Sequence, residues 1–136
     1  MIEARIREIN DAKDILKTAL GKNYEELTIH ENMSMRYLVV QLVEASAGIC
    51  MHILSRAYTE RAENYPDCFI RLGAKGIIPK DLEVSLVSAA RLRNLLVHRY
   101  WEVDDKKVYN SVKNGLKDFE EYVVFIKKYL ERRSEK

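Results

Sequence analysis

Residues 104–132, DDKKVYNSVKNGLKDFEEYVVFIKKYLER, decide the fold class of this 136-residue chain. Apolar side chains recur there at steps of three and four residues, namely Val108, Val112, Leu116, Phe119, Val123, Ile126 and Leu130. This spacing places them on one face of a helix, whereas a strand would alternate every second residue. Asp104 precedes the first of them and suits the amino-terminal cap. The stretch therefore predicts a long amphipathic helix.

The same periodicity predicts three further helices, over residues 2–20, from residue 32 or 34 to about 64, and from 79 to between 98 and 101. Pro66 forbids continuation of the second helix, and Pro79 suits the first turn of the third. The segment between these prolines predicts an ordered connector with about one helical turn. We therefore expect an all-α fold, an antiparallel bundle of four or five helices in a single domain over residues 1–136.

Charge and cysteine content exclude several classes of protein. The chain has 23 Lys and Arg against 21 Asp and Glu, so its formal net charge is only +2. Any binding of nucleic acid must then come from a local basic patch. Cys50 and Cys68 provide neither a disulfide framework nor a metal quartet, which favours a reducing cytoplasmic location.

The apolar stretch at residues 37–54 is the one candidate for a membrane span. Glu44 lies near its middle, where a carboxylate in hydrocarbon would be costly, so a buried helix in a soluble protein is the better interpretation. The stretch is apolar almost all round, which indicates that it is covered on two sides. The second cover is either a second copy of the chain or the rest of its own bundle, and the pattern alone does not decide between them.

The functional candidate is RNLLVHRY, at residues 93–100, within a segment from 84 to 101 that contains no Asp or Glu. On a continuous helix Asn94 and His98 share a face, so the amide would hold the imidazole in one orientation. Arg93 lies about 140° away from His98 around the helix axis. A site that uses both requires the helix to loosen at His98, two such helices to meet across a dimer, or the long reach of the guanidinium.

These residue types have the chemistry to cleave RNA without a metal or cofactor. Histidine has an ordinary pKa of about 6.5, so it both accepts and donates a proton near neutrality. Arginine stays charged and binds phosphate oxygens in a bidentate manner. His98 would activate the ribose 2′-hydroxyl or protonate the leaving oxygen, while Arg93 stabilises the charge that develops at phosphorus.

A purely structural interpretation accounts for the same residues. Cationic side chains in the last turn of a helix interact favourably with its negative end, and they need no further role. Tyr100 and Trp101 would likewise cover a helix end without stacking on a nucleotide. The spacing of Arg93 and His98 is loose, and by itself it does not separate the two interpretations.

The motif at residues 93–100, preceded by Tyr65-Pro66-Asp67 and Gly76-Ile77-Ile78, resembles that of the HepT-like HEPN toxins. The likeness covers nearly the whole chain. It implies a HEPN-like helical domain and a homodimeric, metal-independent endoribonuclease, with RNA as its substrate and a minimal nucleotidyltransferase as its antitoxin.

The resemblance also implies roles for four residues. Arg93 and His98 would be the catalytic pair, Asn94 the supporting polar residue, and Tyr100 the tyrosine that the partner modifies with AMP. The alternative is a non-catalytic module that binds a nucleotidyltransferase or a nucleotide through the same cleft. A third interpretation makes the chain a dimerisation bundle only.

Overall fold

The computed structural model describes residues 1–134, so the last two positions of the predicted domain lie outside the described residues. Five α-helices make up the fold: α1 (Ile2–Leu20), α2 (Ile29–Tyr58), α3 (Tyr65–Ala74), α4 (Lys80–His98) and α5 (Asp105–Ser134). Two short 3₁₀ turns lie at Tyr24–Glu26 and Tyr100–Glu102. The described part of the chain contains no strand, and the all-α prediction is confirmed.

The start of α2 differs from the prediction because of a capping box. The Thr28 hydroxyl accepts from the backbone N–H of Glu31 at 3.1 Å, and the Glu31 carboxylate accepts from the backbone N–H of Thr28 at 3.1 Å. These reciprocal bonds satisfy free donors at the helix start. The predicted start at residue 32 or 34 is therefore wrong. The helix also ends earlier than predicted, since Thr59 adopts a left-handed conformation with φ of 52°.

The connector predicted between the two prolines is instead a helix of ten residues, α3. Asn64 begins it, because its side-chain oxygen accepts from the backbone N–H of Asp67 at 2.8 Å. Pro66 fits in the first turn, where no backbone donor is required. The helix buries Phe69 and Leu72 in the core.

Helix α2 lies at the centre of the bundle and contacts all four other helices. Its own bundle therefore covers most of its apolar circumference, while Met33, Tyr37 and Met51 stay exposed. In the described part of the chain it is the one helix long and apolar enough to span a membrane by length and composition, and 67% of its apolar window is buried inside the protein. This burial agrees with the prediction of a core helix.

Helix α3 packs closely on α4 at a glycine. A Cβ atom at Gly73 would lie about 1.8 Å from the Glu83 carboxylate, so any larger residue would displace this side chain. The Glu83 side chain is buried and accepts a hydrogen bond from Lys80 Nζ at 2.9 Å. The contact holds the helix that carries the motif against its neighbour.

A disulfide joins Cys50 of α2 to Cys68 of α3, whose Cα atoms are 6.2 Å apart. Both cysteines are fully buried. The predicted absence of a disulfide framework did not concern a single bond, and sequence spacing does not reveal this one, because two residues separated by 18 positions meet only through tertiary packing. The cytoplasmic location stays a prediction.

Candidate functional site

The motif crosses the end of a helix. Helix α4 ends at His98, and Arg99 leaves the helical region with φ of −143° and ψ of 45°. The backbone N–H of Arg99 donates to the Leu95 carbonyl at 2.7 Å and closes the last turn. The chain then forms the 3₁₀ turn that begins at Tyr100. Helical structure therefore extends through His98 and ends after it, so Arg93 and His98 lie on one continuous helix.

His98 is exposed and lines a shallow depression of about 380 Å³. The depression is lined by Arg91, Asn94, Leu95, His98 and Arg99. Two guanidinium groups and an imidazole therefore share this surface, and Glu102 pairs with one of them, Arg99, at 3.7 Å. Such a surface attracts phosphate groups.

Arg93 points toward α2 and α3 and does not line this depression. Its Nη2 donates to Glu44 Oε2 at 2.7 Å, and its Nη1 donates to the side-chain oxygen of Asn94 at 3.0 Å. The guanidinium carbon lies 4.7 Å from the centre of the Tyr65 ring, which is a cation–π contact. The Arg93 side chain is 16% exposed, and its Nε is buried without a hydrogen-bond partner.

Asn94 lies between the two candidate catalytic residues. Its side chain lines the depression beside His98, while its oxygen accepts from Arg93. No hydrogen bond joins Asn94 to His98 within residues 1–134, so its predicted orienting role stays a prediction. One protomer does not bring Arg93 and His98 together, because their angular separation on α4 leaves Arg93 facing Glu44.

Tyr100 is exposed on the turn that follows α4. Its side chain is 61% exposed, and its ring meets that of Trp101 edge to face, with centres 5.2 Å apart. The turn is held from α2 by Arg36. Its Nη1 donates to the Tyr100 carbonyl at 2.9 Å, its Nη2 to the Val103 carbonyl at 2.5 Å, and its Nε to the Asp105 carboxylate.

Three residues near the motif were missed from the sequence: Glu44, Tyr65 and Arg36. For Glu44 there was a signal, because a single carboxylate in an apolar stretch requires a cationic partner. Tyr65 belongs to the Tyr65-Pro66-Asp67 stretch that resembles the HepT-like toxins, but nothing in the sequence links its ring to Arg93. Arg36 gave no signal at all, since its acceptors lie more than 60 residues away along the chain.

A larger groove of about 680 Å³ lies between α4 and α5 and adjoins the depression, with which it shares Arg91 and Leu95. Serine, asparagine and apolar side chains make up most of its lining. Asp118 is the acidic residue among them, and burial raises the pKa of its carboxyl. Among the described residues there is no group of three or more His, Cys, Asp and Glu side chains that could hold a metal.

Comparison with known families gives a match over most of the chain. The model of the family described as "Ribonuclease HepT-like" matches residues 6–126. The matched segment contains the whole motif and every helix in whole or in part. The resemblance drawn from the motif is confirmed.

Individual relatives agree with this match. A "tRNA nuclease HepT" of Aphanizomenon flos-aquae is 29% identical over 132 residues, which cover 96% of this chain and 90% of the relative. An "mRNA nuclease HepT" of Shewanella oneidensis is 31% identical over 84 residues, which cover 62% of this chain and 63% of the relative.

A solved structure shares the fold. It contains a tri-AMPylated Shewanella oneidensis HEPN toxin in complex with an MNT antitoxin, and it aligns with a TM-score of 0.86 at 24% identity over 93% of this chain and 96% of that one. The predicted HEPN-like fold is confirmed.

Proposed function

The chain belongs to the family of HepT-like ribonucleases, and from this membership we propose that it is an endoribonuclease toxin that cleaves RNA without a metal. The observation that carries the proposal is the exposed His98 at the end of α4, in a depression lined by Arg91 and Arg99. An exposed imidazole with two neighbouring guanidinium groups suits a phosphodiester substrate. Residues 1–136 would act as one HEPN-like domain.

The catalytic arrangement that we propose is shared between two copies of the chain. Within one protomer Arg93 is engaged by Glu44 and does not face the depression that His98 lines. A second copy that packs its own α4 against this end would supply a guanidinium to a phosphate beside His98. In the second copy Arg93 is also bound to Glu44, so the homodimer meets this requirement when Arg93 exchanges Glu44 for the phosphate.

In the proposed reaction His98 removes the proton of a ribose 2′-hydroxyl. The 2′-oxygen then forms a bond to the adjacent phosphorus, the bond from phosphorus to the 5′-oxygen breaks, and the leaving oxygen takes up a proton. Arg93 stabilises the negative charge that develops on the phosphoryl oxygens. The products are a 2′,3′-cyclic phosphate and a 5′-hydroxyl end, and DNA is not cleaved.

The test compares purified wild-type protein with His98→Ala on tRNA and mRNA in the presence of chelator. We expect cleavage by the wild type and a loss of about 100-fold or more in His98→Ala. His30→Ala is the matched control, since His30 is also an exposed histidine but lies at the start of α2. Wild-type protein that leaves both RNAs intact, or products with 3′-hydroxyl ends, would contradict the proposal.

We further propose that the partner is a minimal nucleotidyltransferase antitoxin that modifies Tyr100. The phenolic oxygen would attack the α-phosphorus of ATP, pyrophosphate would leave, and the phenolic proton would pass to a base. The AMP group adds negative charge beside Arg99 and His98, where it opposes the approach of RNA. Exposure of the Tyr100 ring supports this role.

Intact mass measurement tests the modification after incubation with the nucleotidyltransferase and ATP. We expect a gain of one or more AMP groups in the wild type and none in Tyr100→Phe. Tyr37→Phe is the matched control, because Tyr37 is 65% exposed, similar to Tyr100, but lies on α2. A mass gain that persists in Tyr100→Phe would move the site elsewhere.

One observation favours a second candidate, a non-catalytic module that binds its partner or a nucleotide. Within one protomer Arg93 is hydrogen-bonded to Glu44 and Asn94 and does not line the depression beside His98, so the two residues do not form a catalytic pair there. This candidate predicts that binding survives His98→Ala and disappears in Arg93→Ala, with no strand cleavage by any variant. Measurement of RNA binding and RNA cleavage on the same samples separates the two candidates.

A further inference from the structure

Arg36 connects the central helix, α2, to the turn that carries Tyr100. It lies on α2, and its three guanidinium nitrogens donate to two acceptors in the segment that joins α4 to α5 and to one at the start of α5. Two acceptors are the backbone carbonyls of Tyr100 and Val103, and the third is the carboxylate of Asp105 in the first turn of α5. The Arg36 side chain is 22% exposed and that of Asp105 33%, so the network is partly shielded from water.

The turn has few other connections to the bundle. Tyr100 and Trp101 are both exposed, and their rings contact each other. Within the turn, the backbone N–H of Glu102 donates to the Arg99 carbonyl at 2.9 Å, and that of Val103 to the Tyr100 carbonyl at 3.3 Å. These bonds shape the turn but do not attach it to another helix. Apart from the partly buried Val103, Arg36 provides its attachment to α2.

We propose that Arg36 is a positioning residue, which holds the turn so that the Tyr100 hydroxyl and the end of α4 at His98 keep their places. For its effect on the two reactions this inference rests on the proposed function. The geometry supports arginine specifically. A planar guanidinium reaches three separate acceptors at once, whereas the ammonium of a lysine is a compact point charge that cannot span them.

The proposal explains a feature of the motif itself. His98 and Tyr100 lie on either side of the point where helical structure ends, so α4 alone does not fix their relative position. Rates of group transfer depend steeply on the placement of the reacting atoms, and an error of 1 Å costs up to about 100-fold. A residue that fixes this segment from outside therefore affects both RNA cleavage and modification by the partner.

The first measurement is hydrogen exchange at the backbone amides of residues 99–103 in purified full-length protein. We expect exchange at least about 10-fold faster in Arg36→Ala than in the wild type. Arg36→Lys should lie between the two, because it retains a cation for Asp105. Arg71→Ala is the matched control, since Arg71 is also a partly buried arginine but binds Glu60 at 2.8 Å and Asp67 at 2.9 Å, away from the turn. We expect wild-type exchange in this segment for that variant.

The second measurement is the rate of each proposed reaction. For modification of Tyr100 by the nucleotidyltransferase we expect kcat in Arg36→Ala to fall about 10-fold, with KM for ATP unchanged because ATP binds to the partner. For RNA cleavage we expect kcat to fall by a similar factor. Arg71→Ala should retain both rates. If Arg36 had a merely structural role, the rates of Arg36→Ala and Arg71→Ala would both fall, each in proportion to its loss of stability.

The outcomes separate this inference from the proposed function. Unchanged exchange in Arg36→Ala overturns the inference whether or not the protein cleaves RNA. Faster exchange with both reactions at wild-type rates also overturns it. If the wild type neither cleaves RNA nor accepts AMP, the proposed function fails and the claim about the reactions fails with it. The exchange data then still decide whether Arg36 holds the turn.

Discussion

Two regions of the molecule differ in how their polar groups are placed. These groups are buried and paired at the junction of α2, α3 and α5, and they are exposed at the carboxyl end of α4. In the interior, Tyr122 is fully buried, its hydroxyl donates to the Ser46 carbonyl at 2.7 Å, and its ring meets Phe69 edge to face. Burial raises the pKa of the Tyr122 hydroxyl, which keeps it neutral. At the end of α4, the side chains of His98 and Tyr100 are exposed and make no hydrogen bond to any described residue.

This difference shows where stability and chemistry lie. Burial of apolar surface and pairing of polar groups stabilise the interior, so changes there should unfold the protein. The exposed groups at the end of α4 contribute little to folding and remain available to a ligand. Arg93 lies between these two cases, since it carries the proposed chemistry yet is largely buried and paired with Glu44.

The largest expected effect is on the stability of the interior. Leu72→Ala should lower the free energy of unfolding by about 3 kcal/mol, because Leu72 is fully buried and its truncation leaves a cavity. Val97→Ala is the control at the motif end, where the side chain is 42% exposed, and it should cost less than about 1 kcal/mol. Urea denaturation measures both, and equal losses would contradict the contrast between the two regions.

Arg93→Lys tests the residue that belongs to both regions. We expect kcat/KM for RNA cleavage to fall about 100-fold or more, since lysine cannot bind a phosphoryl group in a bidentate manner. Arg91→Lys is the matched control, because Arg91 lines the depression and its positive charge would be kept. We expect less than about a 3-fold change for that variant. Equal activities of the two lysine variants would remove Arg93 from the proposed chemistry.

Glu44→Gln tests the role of the ion pair between Arg93 and Glu44. A phosphate must compete with Glu44 for the Arg93 guanidinium, and the Glu44 side chain is 43% exposed. Loss of this charge should lower KM for RNA about 3-fold to 5-fold at low salt, with kcat nearly unchanged. Added salt should reduce the difference. Glu60→Gln is the control, because Glu60 pairs with Arg71 and Lys75 instead, and an increase of KM in Glu44→Gln would contradict the prediction.

The smallest expected effect is on Asp118, in the groove beside the motif. Burial, followed by repulsion from Glu121, raises the pKa of its carboxyl, so the charged form is less stable in the folded protein than in the unfolded chain. Asp118→Asn should therefore raise the stability at pH 7 by less than about 1 kcal/mol. The gain should shrink as pH falls through the raised pKa and vanish below the unfolded value of about 3.9. Urea denaturation at pH 7 and pH 3 provides the measurement, and an equal gain at both would contradict it.

Much of the fold was predictable because local signals and packing agree. The predicted first helix matches α1 at both ends, and Asp104 caps α5, since its carboxylate accepts from the backbone N–H of Lys106 at 3.0 Å. The errors came from short-range hydrogen bonds that periodicity does not report. The capping box at Thr28 and the Asn64 cap of α3 are examples, and both had a sequence signature that was not used.

The site was less predictable than the fold. The motif, the end of α4 and the exposure of Tyr100 all follow from residues close together in sequence. The partners of Arg93 do not, because Glu44 and Tyr65 reach it from two other helices. The same is true of Arg36, because its acceptors lie more than 60 residues further along the chain. Tertiary contacts of this kind produce no periodic pattern in the sequence.

Two of the three acceptors of Arg36 are main-chain carbonyls, which every amino acid possesses. The attachment therefore tolerates changes at Trp101 and Glu102, whose side chains play no part in it. Substitutions at these two positions should therefore change the exposed surface that a partner meets, while Arg36 keeps the backbone path the same. In this segment the outer surface and the anchoring of the backbone depend on different residues.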